Sequence, residues 1–123
     1  MSEPDARSLL DEQHDRAEAS LEGDRSDLFD AFKVLGQMRT QVLYREVADV
    51  LDDGEALAEQ ARESQRELTE HIQAAIDGDE EAIAAMRETL GEQREADREA
   101  LDRLEAEGTD LEAMGEQMSV YAD

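Results

Sequence analysis

The apolar positions are unevenly spread along the chain. Leu28, Phe29, Phe32, Val34, Leu35, Met38, Val42, Leu43, Tyr44, Val47, Val50 and Leu51 put twelve large apolar side chains within twenty-four residues. At about 100° per residue these positions wrap more than half of a helix's circumference in the first part of the segment, a wider arc than one neighbouring helix can cover. The pattern predicts a helix over about 26–51 that sits at the centre of the fold and is touched from at least two sides.

The flanking segments carry narrower stripes. Ala6, Leu9, Leu10, Gln13, Ala17 and Leu21 recur at three and four and predict a helix over about 4–22, with Pro4 in its first turn and Ser2 and Asp5 near its cap. Gly23 and Asp24 punctuate it. Asp52, Asp53 and Gly54 mark a turn or kink, followed by a leaner helix over about 54–77 with Leu57, Ala61, Leu68, Ile72, Ala75 and Ile76. Asp77, Gly78 and Asp79 then read as a stop and restart: glycine for the left-handed position, aspartate as the next N-cap. The fourth helix, over about 79–107, carries Ile83, Met86 and Leu90 and then changes character. From Glu92 to Glu107 the apolar residues are few, among them Ala96, Ala100, Leu101 and Leu104, while Glu95/Arg98, Glu99/Arg103 and Arg98/Asp102 can pair along the surface, so this half is expected to project from the core or line its edge. Gly108 ends it, and Thr109 and Glu112 have the spacing of a capping box before a last stripe of Leu111, Met114, Met118 and Tyr121.

No alternating pattern of strand length appears. The fold class predicted is all-α: an antiparallel bundle of four to five helices over residues 1–108, with 109–123 as a short C-terminal amphipathic helix or partner-docking tail.

Charge changes this picture. Thirty-five acidic residues against twelve cations give a net charge of −23, with 3% aromatics and a single lysine. In dilute buffer such a chain repels itself and has little apolar surface to bury. In about 1 M salt the Debye length falls to roughly 3 Å, and carboxylates a helical turn apart scarcely interact. Periodic apolar positions on so acidic a chain therefore predict a cytoplasmic protein of a salt-accumulating cell. Arginine's weakly hydrated guanidinium suits the same setting better than lysine's ammonium. The acidic balance opposes direct nucleic-acid binding, and no apolar run is long enough for a membrane span. The opening MSEPDARS lacks the basic region and apolar run of a signal peptide. Absence of cysteine removes disulfides, thiolate metal sites and cysteine nucleophiles together.

The wide arc of the second helix holds more apolar surface than a single bundle needs, so a homodimer stacking second helices against each other is expected. Its interface would use Leu28, Phe29, Phe32, Leu35, Met38, Val42, Leu43 and Val47. Arg39 and Glu46, both near the middle of that arc, would meet across the symmetry axis. Leu111, Met114, Met118 and Tyr121 form a second surface suited to a heterologous protein, because methionine and tyrosine give adaptable apolar contact.

Chemistry-bearing constellations are sparse. Asp11 and Glu18 flank His14 at helical reach and Glu67 stands one turn before His71. These groups resemble the carboxylate and histidine ligands of ferritin-like di-iron bundles, which implies a metal-binding bundle as the alternative function. The departures are specific: position 11 is Asp, the residue three before His71 is Leu68, and Glu46 is the one inward lone glutamate. Ser8, Ser20, Ser26, Ser64 and Ser119 have no nucleophile-elbow context and no glycine-rich phosphate loop exists. A further alternative is an acidic nucleic-acid mimic that occupies a basic groove on another protein. The leading expectation is a non-catalytic helical oligomerisation and interaction protein, with no cofactor and no metal.

Overall fold

A computed structural model describes residues 5–22 and 25–122, so Ser2, Pro4, Gly23 and Asp24 lie outside the described residues. Among the described residues all regular structure is helical, and five helices pack against one another. Helix α1 is Ala6–Ser20. Helix α2 runs over 28–50 in three stretches: an α-helical Leu28–Gln37, a π-helical Met38–Leu43 and an α-helical Tyr44–Val50. Helices α3, α4 and α5 are Gly54–Ile76, Glu80–Ala106 and Leu111–Ala122.

The caps explain most of these boundaries. Asp5 starts α1 by accepting the Ser8 N–H at 2.9 Å, and Asp79 starts α4 by accepting from Glu81 and Ala82. Gly78 and Gly108 sit at φ 95° and 94°, where any Cβ is strained. Each closes its helix in the same way: Gly78 N–H on Ala75 O with Asp79 N–H on Ala74 O, and Gly108 N–H on Glu105 O with Thr109 N–H on Leu104 O. At α5 the cap differs from the expected one. Asp110, not Thr109, accepts from the backbone N–H groups of Glu112 and Ala113. Thr109 is occupied as the second residue of the preceding closure.

The predicted core helix is central. Leu28, Ala31, Phe32, Leu35, Met38, Val42, Leu43, Tyr44, Val47 and Leu51 are all buried, and α2 contacts α1, α3, α4 and α5. Its π turn widens the inward arc. Thr40 Oγ1 donates to the Gly36 carbonyl at 2.7 Å and the Tyr44 N–H reaches back five residues to Arg39 O, so Met38, Arg39, Val42, Leu43 and Tyr44 all face the interior.

α2 and α3 are separate helices. Leu51 breaks the run with an extended ψ of 144°, and α3 starts so close to α2 that a Cβ on Gly54 would lie 1.9 Å from the Val47 carbonyl oxygen. Gly54→Ala is expected to lose about 2–3 kcal/mol, because two backbones must part to make room. Gly91→Ala, with nothing within 4 Å of the added Cβ, should be neutral or gain up to about 1 kcal/mol in helix propensity. Denaturant melts of the two variants in molar KCl check the pair.

The second half of α4 does not project. Ala82, Met86, Leu90, Gln93, Asp97, Ala100, Leu101 and Leu104 form one continuous buried stripe. Its surface arginines reach other helices rather than their own acids. Arg98 meets Asp11, Arg94 meets Asp15, and Arg103 forms a two-pronged pair with Asp53 at 2.8 and 3.1 Å.

Candidate functional site

The stripe of α4 carries one carboxylate into the core, and two other helices, α1 and α2, bring side chains to it. Asp97 Oδ1 accepts from Tyr44 Oη at 3.0 Å, Asp97 Oδ2 pairs with His14 Nε2 at 2.8 Å, and the Arg39 Nε–H is shared between both oxygens at 2.9 Å. The Arg39 guanidinium carbon also lies 5.2 Å from the Tyr44 ring centroid, within cation–π range. Asp97 and His14 are 1% exposed, Arg39 2% and Tyr44 4%. A carboxylate offers about four lone-pair positions, and these four contacts use them. The π turn is what brings Arg39 and Tyr44 of one helix to the same anion.

Burial pushes the Tyr44 hydroxyl well above the ordinary phenol range, and the Asp97 charge adds to it; Arg39 offsets only part. With its folded value raised, neutral Tyr44 contributes stability that is fully present below the unfolded phenol value of about 10 and is lost as pH climbs through the folded one. Native protein should therefore keep Tyr44 protonated at pH of about 11, where an unfolded tyrosine ionises. Tyrosinate absorbance compared between wild type and Tyr44→Phe isolates this group: at pH of about 11 the two folded proteins should give equal signals, and a larger signal from the wild type would refute it.

Polar groups around the centre are not all satisfied. His14 Nδ1, Arg39 Nη1 and Gln93 Oε1 are buried and have no hydrogen-bond partner. His14 borders a small pocket of about 90 Å³ with Glu18, Arg87, Leu90, Gly91 and Arg94. On the other side, Arg39, Tyr44 and Gln93 border a groove of about 240 Å³ between α3 and α4.

The residues expected at a partner or dimer interface are placed mostly inside the chain. Leu28, Phe32, Leu35, Met38, Val42, Leu43 and Val47 are buried by the chain's own helices, and Phe29 alone of the α2 set remains substantially exposed, at 53%. The surplus on which stacked second helices rested is therefore taken up internally. Arg39 does not await Glu46 of another subunit: it is sealed in the core and paired with Asp97, while Glu46 is only half-buried. Leu111, Met114 and Met118 are buried and Tyr121 packs against the same core, so this stripe closes the bundle against α1 and α2. His71 is exposed on α3, and among the described residues no group of three or more histidine and carboxylate side chains gathers as a metal site.

Asp97 and Gln93 were missed by the sequence reading. Their signal was present as phase, since both continue the i, i+3/i+4 series of Met86 and Leu90. No described helix is long and apolar enough to cross a membrane. No protein family, curated protein or solved structure matches the chain.

Proposed function

We propose that this chain is a non-catalytic helical interaction module that works in concentrated salt, and that it pairs through the outer faces of α2 and α3. The observation that carries the reading is the distribution of its few cations. Among the described residues Arg7, Arg16, Arg39, Arg87, Arg94, Arg98 and Arg103 each hold a carboxylate. Among the described residues Lys33, Arg45, Arg62 and Arg66, together with Arg25 at the α1–α2 turn, form no ion pair, although acids outnumber cations almost threefold in the sequence.

Lys33 and Arg45 lie on α2, Arg62 and Arg66 on α3, and Arg45 and Arg62 share one groove. Arg62 and Arg66 are one turn apart, a like-charge spacing that costs a helix a few tenths of a kcal/mol unless something anionic answers it. Exposed Phe29 stands one turn before Lys33 and supplies an apolar anchor. A partner rich in carboxylates fits this face, and a second copy of the chain, with its large excess of exposed acids, is such a partner. The non-catalytic part of the reading draws support from the sealed state of His14, Tyr44 and Asp97, which bond to one another and to Arg39.

Sedimentation in molar KCl tests it. The wild type is expected as a dimer; Phe29→Ser combined with Arg62→Glu should be monomeric with unchanged helicity, while Arg98→Glu stays dimeric. A wild-type chain that sediments as a monomer at every salt concentration would sink the homodimer.

A further inference from the structure

The charges on the open flank of α3 follow an order that a single chain does not use. Glu55, Glu59, Arg62 and Arg66 are spaced four, three and four residues apart, so at about 100° per residue they fall within an arc of about 60° on one side of the helix. All four are exposed, and none forms an ion pair or a side-chain hydrogen bond among the described residues. Two of the three steps join like charges one turn apart, Glu55 with Glu59 and Arg62 with Arg66, which weakens an isolated helix. The helix dipole accounts for Glu55, which stands in the first turn, but not for Arg62 and Arg66 near the middle of Gly54–Ile76. The row has a symmetry of its own: read from either end it is the same with every charge reversed. Positions 55 and 66, and positions 59 and 62, carry opposite signs and lie equally far from a midpoint between Gln60 and Ala61.

We infer that a second copy of the chain docks with its α3 antiparallel to this one about that midpoint, Glu55 against the partner's Arg66 and Glu59 against the partner's Arg62, with the two symmetry equivalents. This rests on the pairing through α2 and α3 proposed above and gives that pairing a register. A two-fold axis perpendicular to the helices brings each patch onto its own copy. At a rise of about 1.5 Å per residue, Glu55 and the partner's Arg66 both lie about 8 Å along the helix from the axis, and Glu59 and the partner's Arg62 about 2 Å, so the members of each pair stand level. A parallel arrangement would set Glu55 on Glu55 and Arg62 on Arg62. An antiparallel slip of one turn in either direction keeps only two of the row's four pairs. The row is also neutral on a chain of net charge −23, so two copies meet here without adding like charge to like. Partly covered by the partner, such pairs are screened less than open ones, and the guanidinium fork can hold a carboxylate with two N–H groups. They fix orientation more than they add affinity.

Charge reversal tests the register, by sedimentation of the full chain at the lowest KCl concentration that keeps the wild type fully helical, with circular dichroism on every variant. Arg62→Glu with Arg66→Glu makes the row wholly acidic, and Glu55→Arg with Glu59→Arg makes it wholly cationic. Each alone is expected to weaken the dimer at least about tenfold, and the two mixed in equal amounts to form a heterodimer. All four reversals in one chain restore the antiparallel match with no change in net charge. That variant is expected to dimerise as the wild type does and to exclude wild-type chains, whose acids and cations would then face their own kind. Should a reversed chain lose helicity, Glu55→Ala and Arg66→Ala remove the two ends of one pair at exposed positions. Combined, they are expected to weaken the dimer no more than either does alone, and additive losses would overturn the register. Half-reversed chains that dimerise as tightly as the wild type, or a helical fourfold variant that stays monomeric, overturn it as well and leave the dimer standing. A wild type that is monomeric at every salt concentration removes the pairing itself, and the register with it.

Discussion

Arg39→Ala is expected to lower stability by about 3–5 kcal/mol, the largest effect of any single surface-to-core charge removal in this chain. The magnitude comes less from the lost attraction than from what remains. Asp97 would be left at 1% exposure with only His14 and Tyr44 as hydrogen-bond partners. Asp97→Ala should cost a similar amount by stranding the guanidinium. The double replacement Arg39→Met with Asp97→Leu should recover much of the loss, because two buried ions exchanged for apolar side chains of similar volume escape the desolvation cost together. Arg98→Ala, which removes an exposed arginine held to Asp11 at 3.4 Å, should stay within about 0.5 kcal/mol of wild type. Denaturant melts in molar KCl distinguish these outcomes. Equal losses for Arg39→Ala and Arg98→Ala would mean that the centre is solvated and the burial assigned to it is wrong.

The second large effect is on salt. The 23 net negative charges are carried on 7135 Å² of surface, one for roughly every 310 Å², so neighbours lie about 18 Å apart. At 0.01 M salt the Debye length is about 30 Å and each charge feels several others; at about 1 M it is roughly 3 Å and the surface is electrostatically quiet. Exposed pairs such as Arg16–Asp27 and Arg103–Asp53 relieve little of this, since solvent screens them. Helicity and melting temperature should therefore rise steeply from about 10 mM to molar KCl, with the chain largely unfolded at the low end. Circular dichroism across that range measures it. A flat signal would show that the buried core alone outweighs the repulsion and would remove the case for a saline setting.

How far the fold was legible depended on whether a signal was local. Helix ends with their own chemistry, such as Gly78 followed by Asp79, were readable because glycine at positive φ and an aspartate cap need no distant partner. The central place of α2 was readable from the width of its apolar arc. What surrounds that arc was not, because width says that several neighbours are needed and is silent on whether they belong to the same chain. The buried centre failed for a related reason. In a chain with acids at more than a quarter of its positions, Asp97 does not stand out by type, only by falling on the Met86–Leu90 phase. Arg39 was singled out correctly as an ion on an apolar face, and its partner was sought at a heptad spacing when it lay fifty-eight residues away on another helix. The π turn, which puts Tyr44 beside it, has no periodicity of its own to read.

The reach of those contacts bears on how long the native state lasts. The bonds to Asp97 span 83, 58 and 53 residues, whereas the α3–α4 hairpin closes through a three-residue turn. Long loops close late, so the hairpin is expected to form early in folding and the centre near the end. Interactions made after the rate-limiting step leave refolding speed almost untouched and act on the escape rate instead. Asp97 and its three partners then work as a latch: their loss shortens the lifetime of the folded chain far more than it slows its formation.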